Sequence, residues 1–253
     1  MNNTLIDNSI EALSMTATLR KCLAIDGIKT VSIATGYWDI PGLAILQENL
    51  RSFIEKDGTT LRLLIGKDPY IYANQLKSPK YKDANYPLDF IKTDIHELNV
   101  TEEYKDAIRL LLDYCTENND SKIQIRVFRK NENDETQFLH SKCYIFDGKS
   151  NGIGIGIVGS TNFTQKGLQG NAELNYIETA PNQVLSLDKI PGNKSHLILL
   201  NEKWEISEPW NKQFLEQILK SAPITDDVEK ERDSEQHLFT PYELYIKLLQ
   251  IKF

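Results

Sequence analysis

No apolar stretch of this 253-residue chain approaches the length of a bilayer span, and its opening residues, MNNTLIDNSIEAL, carry neither the basic nor the apolar region of a secretory signal. A membrane-spanning or exported protein is therefore not expected, and the expected compartment is the cytoplasm. Cysteine is scarce. Cys22, Cys115 and Cys143 are scattered and odd in number, which excludes a disulfide scaffold, suits a reducing environment and makes Cys143 an expected core residue. His96, His196 and His237 lie in polar or boundary stretches without ligand spacing, and no His/Cys/Asp cluster has the form of a metal site, so neither a metal nor another cofactor is expected. Positive charge is also short. A net charge of −7 argues against a generic nucleic-acid binder, because attraction to phosphate supplies most non-specific affinity. No internal repeat is visible.

What the chain does have is concentrated in residues 138–163, FLHSKCYIFDGKSNGIGIGIVGSTNF. In an extended segment alternate side chains share a face, so His140 and Lys142 set a nucleophilic ring nitrogen beside a cation, where one phosphate could touch both. The apolar run 143–146 predicts a strand, and Asp147-Gly148 closes it with turn chemistry. Asp147 lies an odd number of residues from His140, so on a straight strand it points to the other face and is expected to be structural. Gly152, Gly154 and Gly156 alternate with Ile153, Ile155 and Ile157, which predicts a second strand with one bare face; glycine there marks a close approach by another group. Gly159 ends that strand. Ser160, Thr161 and Asn162 follow in a tight turn whose hydroxyl, carboxamide and backbone N–H groups form a nest suited to phosphate oxygens. A third strand is predicted over 172–179, opening with Glu173 among apolar neighbours. GKSNG reads as the hairpin loop between the first two strands.

His-x-Lys, four residues, Asp, then Gly-Ser-x-Asn is the pattern of the phospholipase D superfamily, often called HKD, which this segment closely resembles. The interval between Asp147 and Gly159 is longer than is usual there, and lengthening an exposed hairpin costs little. The lengthened hairpin, Gly167-Leu168 and the run Asn-x-Glu-Leu-Asn at 171–175 are most similar to PLD-like domains of restriction endonucleases and of bacterial helicase N-termini. The segment HLFTPYELYIKLL at 237–249 resembles the lead into the helicase motor of those fusions. The chain carries no Walker A sequence, so ATP hydrolysis would have to come from a separate helicase or ATPase subunit or from a part outside this chain.

The resemblance implies a mixed β-sheet flanked by helices on both faces, an α/β fold, with a PLD-like domain over 1–222. An acidic linker is expected over 223–236 and a C-terminal helical appendage over 237–253. A helix is predicted over 5–21, a strand over 28–35, a helix from Pro41 to about Lys56 and a strand over 60–65, together a β-α-β unit. Residues 67–101 show weak periodicity. A helix is predicted over 102–115, a strand over 123–128, and helical pieces over 198–204 and 211–220.

The resemblance also implies a reaction. His140 of one protomer would attack phosphorus, His140 of a two-fold mate would protonate the leaving oxygen, and water would resolve the phosphohistidine without a metal. Lys142, Asn162 and Ser160 would stabilise charge on the non-bridging oxygens. A carboxylate this far beyond the Gly-Ser-x-Asn turn holds the imidazole in the family's nucleases, a role carried to Glu173. Asp147 and Gly159 are structural members of the motif. Arg129, Lys149 and Lys166, with Lys122, Arg126 and Lys130, form either a basic groove for substrate or a solvated sheet edge. The leading expectation is a DNA endonuclease or nuclease subunit of a restriction or phage-defence system, acting as a homodimer on DNA. The alternatives are a non-catalytic module that docks DNA or a helicase, and a lipid phosphodiesterase or phosphatidyl transferase, which the single motif and the lack of an amphipathic membrane helix disfavour.

Overall fold

Aliphatic residues at alternate positions of the long strands give the sheet one strongly apolar face, and the intervening positions carry a smaller apolar patch beside Arg62 and Arg126. The computed structural model describes residues 5–66, 102–117, 120–128, 139–186, 192 and 194–215. The strands among them are β1 (Leu5–Ile6), β2 (Thr30–Thr35), β3 (Thr60–Ile65), β4 (Ile123–Val127), β5 (Cys143–Asp147), β6 (Gly154–Gly159), β7 (Asn175–Glu178) and β8 (Glu208–Pro209). They form one mixed sheet in the order β1-β7-β6-β5-β2-β3-β4-β8. β2, β3 and β4 run parallel, and the other pairings are antiparallel.

One face carries Val31, Ile33, Leu61, Leu63, Ile123, Ile125, Tyr144, Phe146, Ile155 and Ile157. Onto it pack α1 (Met15–Leu23), α2 (Ile40–Ile45), α3 (Gln47–Ile54) and α4 (Glu102–Tyr114), through residues such as Leu19, Leu43, Phe53 and Leu110. The opposite face is set by the intervening positions Ala34, Leu64 and Ile145, and is covered by α5 (Pro181–Val184) and α6 (His196–Glu205) through Val184, Leu200 and Trp204. Trp204 stacks on two guanidinium groups of the sheet, Arg62 at 4.1 Å and Arg126 at 5.2 Å from the ring centre. Burial there lowers the Arg62 guanidinium to about 10. The expected α/β sheet with helices on both faces is thus the observed fold.

The bare face of β6 has a physical reason. A Cβ at Gly154 would strike the Leu185 side chain, and one at Gly156 would come within 3.1 Å of His196 Nδ1 and 3.3 Å of a Val184 methyl. Glycine there lets α5 and the start of α6 lie against the strand.

Several predicted elements differ from those observed. Residues 5–21 are not one helix: Leu5–Ile6 pairs with β7, Asp7 accepts the Ser9 N–H, Asn8 has φ 58°, and the helix begins at Met15 with Ser14 capping Ala17 N–H. Local side-chain bonds from Asp, Asn and Ser outcompete the helix, as such residues do near helix starts. The helix expected from Pro41 is broken at Leu46 into α2 and α3, and its N-cap is Asp39, which accepts the Gly42 N–H at 2.6 Å. β7 begins at Asn175, so Glu173 lies before the strand and not within it. α5 and β8 arise where no element was predicted. Thr60–Ile65 is a strand as predicted, and the hairpin loop contains the single turn Lys149–Asn151. Arg129, Lys130, His96, the stretch 67–101, the linker 223–236, the appendage 237–253 and the end of the helix predicted at 211–220 lie outside the described residues.

Candidate active site

Strand register gathers the motif residues at one end of the sheet. Cys143, the first residue of β5, pairs with Ala34 near the end of β2 and with Val158 near the end of β6, while Gly159 pairs with Asn175, the first residue of β7. The segments that flank these ends therefore meet: His140 to Lys142 before β5, Gly36 to Trp38 after β2, Ser160 to Asn162 after β6, and Glu173-Leu174 before β7.

His140 is exposed, on a chain anchored by Leu139, which is buried with Ala34, Leu64, Phe128 and Ile145. The strand begins only at Cys143, so the shared-face geometry expected for His140 and Lys142 is replaced by a loop. Lys142 is only 6% exposed, and its Nζ donates to the His140 carbonyl oxygen at 2.9 Å, which fixes a cation beside the histidine backbone.

Asn162 lies across from the loop after β2. Its Oδ1 accepts the Tyr37 N–H at 3.2 Å and lies 3.4 Å from the Thr35 hydroxyl, which leaves the amide NH2 as the group that can face a substrate. The two loops are laced further: Phe163 N–H donates to the Thr35 hydroxyl at 3.1 Å, and Gln165 N–H donates to Asp39 Oδ1 at 2.9 Å. Burial raises the Asp39 carboxyl above its usual range against the opposing effect of the Gly42 and Gln165 N–H donors and of the Lys166 charge.

Ser160 is turned toward Glu173. Its hydroxyl donates a short hydrogen bond to Glu173 Oε2 and accepts the Leu174 N–H at 3.0 Å, while its own N–H donates to the Leu174 carbonyl at 3.1 Å. Asn171 Nδ2 donates to Glu173 Oε1 at 3.1 Å. Among the described residues, the hydrogen bonds to the Glu173 carboxylate come from Ser160 and Asn171. Below them, Thr161 N–H donates to Asn175 Oδ1 at 3.2 Å, Asn175 Nδ2 donates to the Thr161 hydroxyl at 2.8 Å, and the Tyr144 hydroxyl donates to the Thr161 carbonyl at 2.9 Å. Burial, reinforced by the Glu173 charge, holds the Tyr144 phenol well above its usual range, so it stays a neutral donor. Gly159 has no room for a side chain: a Cβ would run into the Leu174 carbonyl and Asn175.

His140, Lys142, Ser160, Asn162 and Glu173 are therefore brought to one end of the sheet. Asp147 is at the other end of β5, paired with Thr30 and Gly154, and its Oδ1 accepts the Lys149 N–H at 2.6 Å. Lys149 is exposed in that same hairpin and is not brought to the site. Lys166 is exposed just beyond the turn, on the Asp39 side. Thr35, the Tyr37 peptide, Asn171 and Asn175 are members of the network that sequence reasoning did not single out. Asn171 and Asn175 stood in the quoted Asn-x-Glu-Leu-Asn run, whereas nothing local marks Thr35. No group of three His, Cys, Asp or Glu side chains among the described residues is placed to hold a metal ion.

The model of the family described as "Cardiolipin synthase, PLD-like domain" matches residues 22–190. Among solved structures, the chain is similar to Nuc, a phospholipase D family member from Salmonella typhimurium, at 14% identity over 81% of this chain and 95% of that one, with a TM-score of 0.45. It is similar to NucT from Helicobacter pylori at 12% identity over 81% and 97%, TM-score 0.40. A third is polyphosphate kinase from Porphyromonas gingivalis, at 9% identity over 71% and 20%, TM-score 0.37. No curated protein sequence matches.

Proposed function

The chain belongs to the PLD-like family of the phospholipase D superfamily, and from that membership we propose that it is a metal-independent phosphodiesterase. We place it as a DNA endonuclease, or nuclease subunit, of a restriction or phage-defence system. The observation that carries the reading is the convergence of His140, Lys142, Asn162 and the Ser160–Glu173 pair at one sheet end.

In this reading the His140 ring attacks phosphorus and forms a phosphohistidine. A second histidine gives its proton to the departing oxygen, and water then hydrolyses the phosphohistidine, returning the ring. Lys142 Nζ and the Asn162 NH2 bind the non-bridging oxygens, whose charge grows in the transition state. Ser160 holds the Glu173 carboxylate, and Glu173 favours the cationic, correctly oriented imidazole. Since one chain supplies one HKD sequence, the second His140 comes from a two-fold partner. An apolar patch supports a location for that partner: Leu5, Leu174 and Tyr176 are 52%, 61% and 46% exposed, Leu5 pairs with Tyr176, and Leu174 adjoins Glu173.

The family name includes cardiolipin synthase, which favours a lipid phosphodiesterase as the second reading. The test measures cleavage of a bis-aryl phosphodiester and of plasmid DNA in excess EDTA, beside release of headgroup from phosphatidylglycerol vesicles. DNA and aryl phosphodiester cleavage in EDTA, lost in His140→Ala, is expected. Activity abolished by chelator and restored by magnesium contradicts the mechanism; headgroup release without DNA cleavage supports the lipid reading.

A further inference from the structure

We propose that Thr35, at the end of β2, is a positioning residue that sets which way Asn162 presents its amide; this rests on the reading of Asn162 as a phosphate contact. The Thr35 side chain is fully buried, so bulk solvent cannot replace what its hydroxyl does. Its oxygen accepts the Phe163 N–H at 3.1 Å, and its proton has two acceptors nearby, the Tyr37 carbonyl at 2.5 Å and Asn162 Oδ1 at 3.4 Å. One hydroxyl carries one proton, and the shorter contact takes it. Asn162 Oδ1 is then held chiefly by the Tyr37 N–H at 3.2 Å.

Thr35 thus grips both partners of that bond. It fixes the Tyr37 residue through its carbonyl, and it fixes the backbone directly after Asn162 through Phe163. With Oδ1 turned to the Tyr37 peptide, Nδ2 is the end that faces the phosphate. An unfixed amide spends part of its time turned round, offering an oxygen to a phosphate oxygen, which repels it. Asp39 closes the same clasp from further along, receiving Gln165 N–H at 2.9 Å, and Trp38 bridges to Phe163. Because a contact to a non-bridging oxygen strengthens as charge develops, misorientation should lower kcat more than it raises KM.

The experiment compares Thr35→Val, which keeps shape and loses the hydroxyl, with Thr35→Ser, Asn162→Ala and the Thr35→Val/Asn162→Ala double variant in the full chain. Two readouts are taken: amide hydrogen exchange at Tyr37 and Phe163, and kcat and KM on a bis-aryl phosphodiester. Thr35→Val is expected to speed exchange at both amides and to lower kcat by about tenfold or more with KM little changed, and Thr35→Ser to restore both. In the Asn162→Ala background, Thr35→Val should lower kcat no further, because the residue it acts through is gone. Retained protection of both amides in Thr35→Val, failure of Thr35→Ser to restore, or full additivity in the double variant overturns the proposal. If Thr35→Val does not fold, Asn162→Ala decides: the Tyr37 amide must exchange faster while that of Phe163 stays protected, and unchanged exchange at Tyr37 overturns it. A wild-type protein that fails to cleave the phosphodiester refutes the reading of the site, and the exchange comparison still decides what Thr35 holds.

Discussion

Two carboxylates of the motif region, Asp147 and Glu173, should fail in opposite ways when neutralised. Asp147 stands four residues along β5 from Cys143, roughly 13 Å at ~3.3 Å per residue, and its Oδ1 accepts the Lys149 N–H at the base of the hairpin. Its charge also favours the cationic form of Arg62, which lies under α6. Asp147→Asn keeps an acceptor but loses the charge-assisted part of these interactions, about 1 kcal/mol. For a domain of this size that lowers Tm by roughly 2–4 °C. The site end of the sheet is untouched, so kcat/KM should change less than about threefold, or ~0.7 kcal/mol. Glu173→Gln should do the reverse. It removes the charge that accepts from Ser160 and Asn171 at the site end of the sheet, on a half-exposed side chain whose loss costs little stability. By analogy with the orienting Asp of serine-protease triads, the rate should fall on the order of 10⁴-fold, about 5 kcal/mol of barrier. Scanning calorimetry and steady-state cleavage of a bis-aryl phosphodiester read the two effects separately. A stable but inactive Asp147→Asn would refute the assignment, and so would a Glu173→Gln enzyme with normal kcat.

A site shared across a two-fold dimer would have a distinct signature. When wild type and His140→Ala are mixed and equilibrated, activity should fall roughly as the square of the wild-type fraction; a linear fall, or full activity in a monomer by light scattering, contradicts a shared site. Asp39 should tilt stability with pH. Its folded-state pKa is raised by burial, so the folded form binds more protons than the unfolded form between the two values. Its stabilising contribution is therefore greatest below the ordinary value and declines as pH rises through the raised one. Asp39→Asn keeps the acceptor for Gly42 and Gln165 and should remove that slope, so wild-type Tm minus variant Tm should fall with rising pH through this window; a flat or rising difference contradicts the burial argument.

The sheet and the site were legible in the sequence to different degrees. Residues 143–147 and 154–159 announce a hairpin because apolar periodicity, Asp-Gly turn chemistry and alternating glycine agree there. Residues 60–65 are legible for the same reason: an aliphatic run bounded by Asp57-Gly58. Leu5–Ile6 was not, because its strand partner is β7, some 170 positions away, and two residues carry no period of their own. The motif singled out His140, Lys142, Ser160 and Asn162, but not what they bond to. Parity on an ideal strand misjudged His140 and Lys142 because the strand starts after them. Thr35 was invisible. A threonine ending a β-branched strand reads as strand propensity, and only the pairing of β2 with β5, and of β5 with β6, reveals that its hydroxyl meets the turn after Gly159.

The proposed mechanism requires that His140 become phosphorylated during turnover. Rapid quenching of the enzyme with an isotopically labelled phosphodiester under basic conditions, followed by peptide mass mapping, reads it directly. A phosphoryl adduct on the peptide bearing His140, stable to base and lost in acid, is predicted, with no adduct in His140→Ala. Full turnover by His140→Ala, or an adduct confined to another residue, would contradict the account.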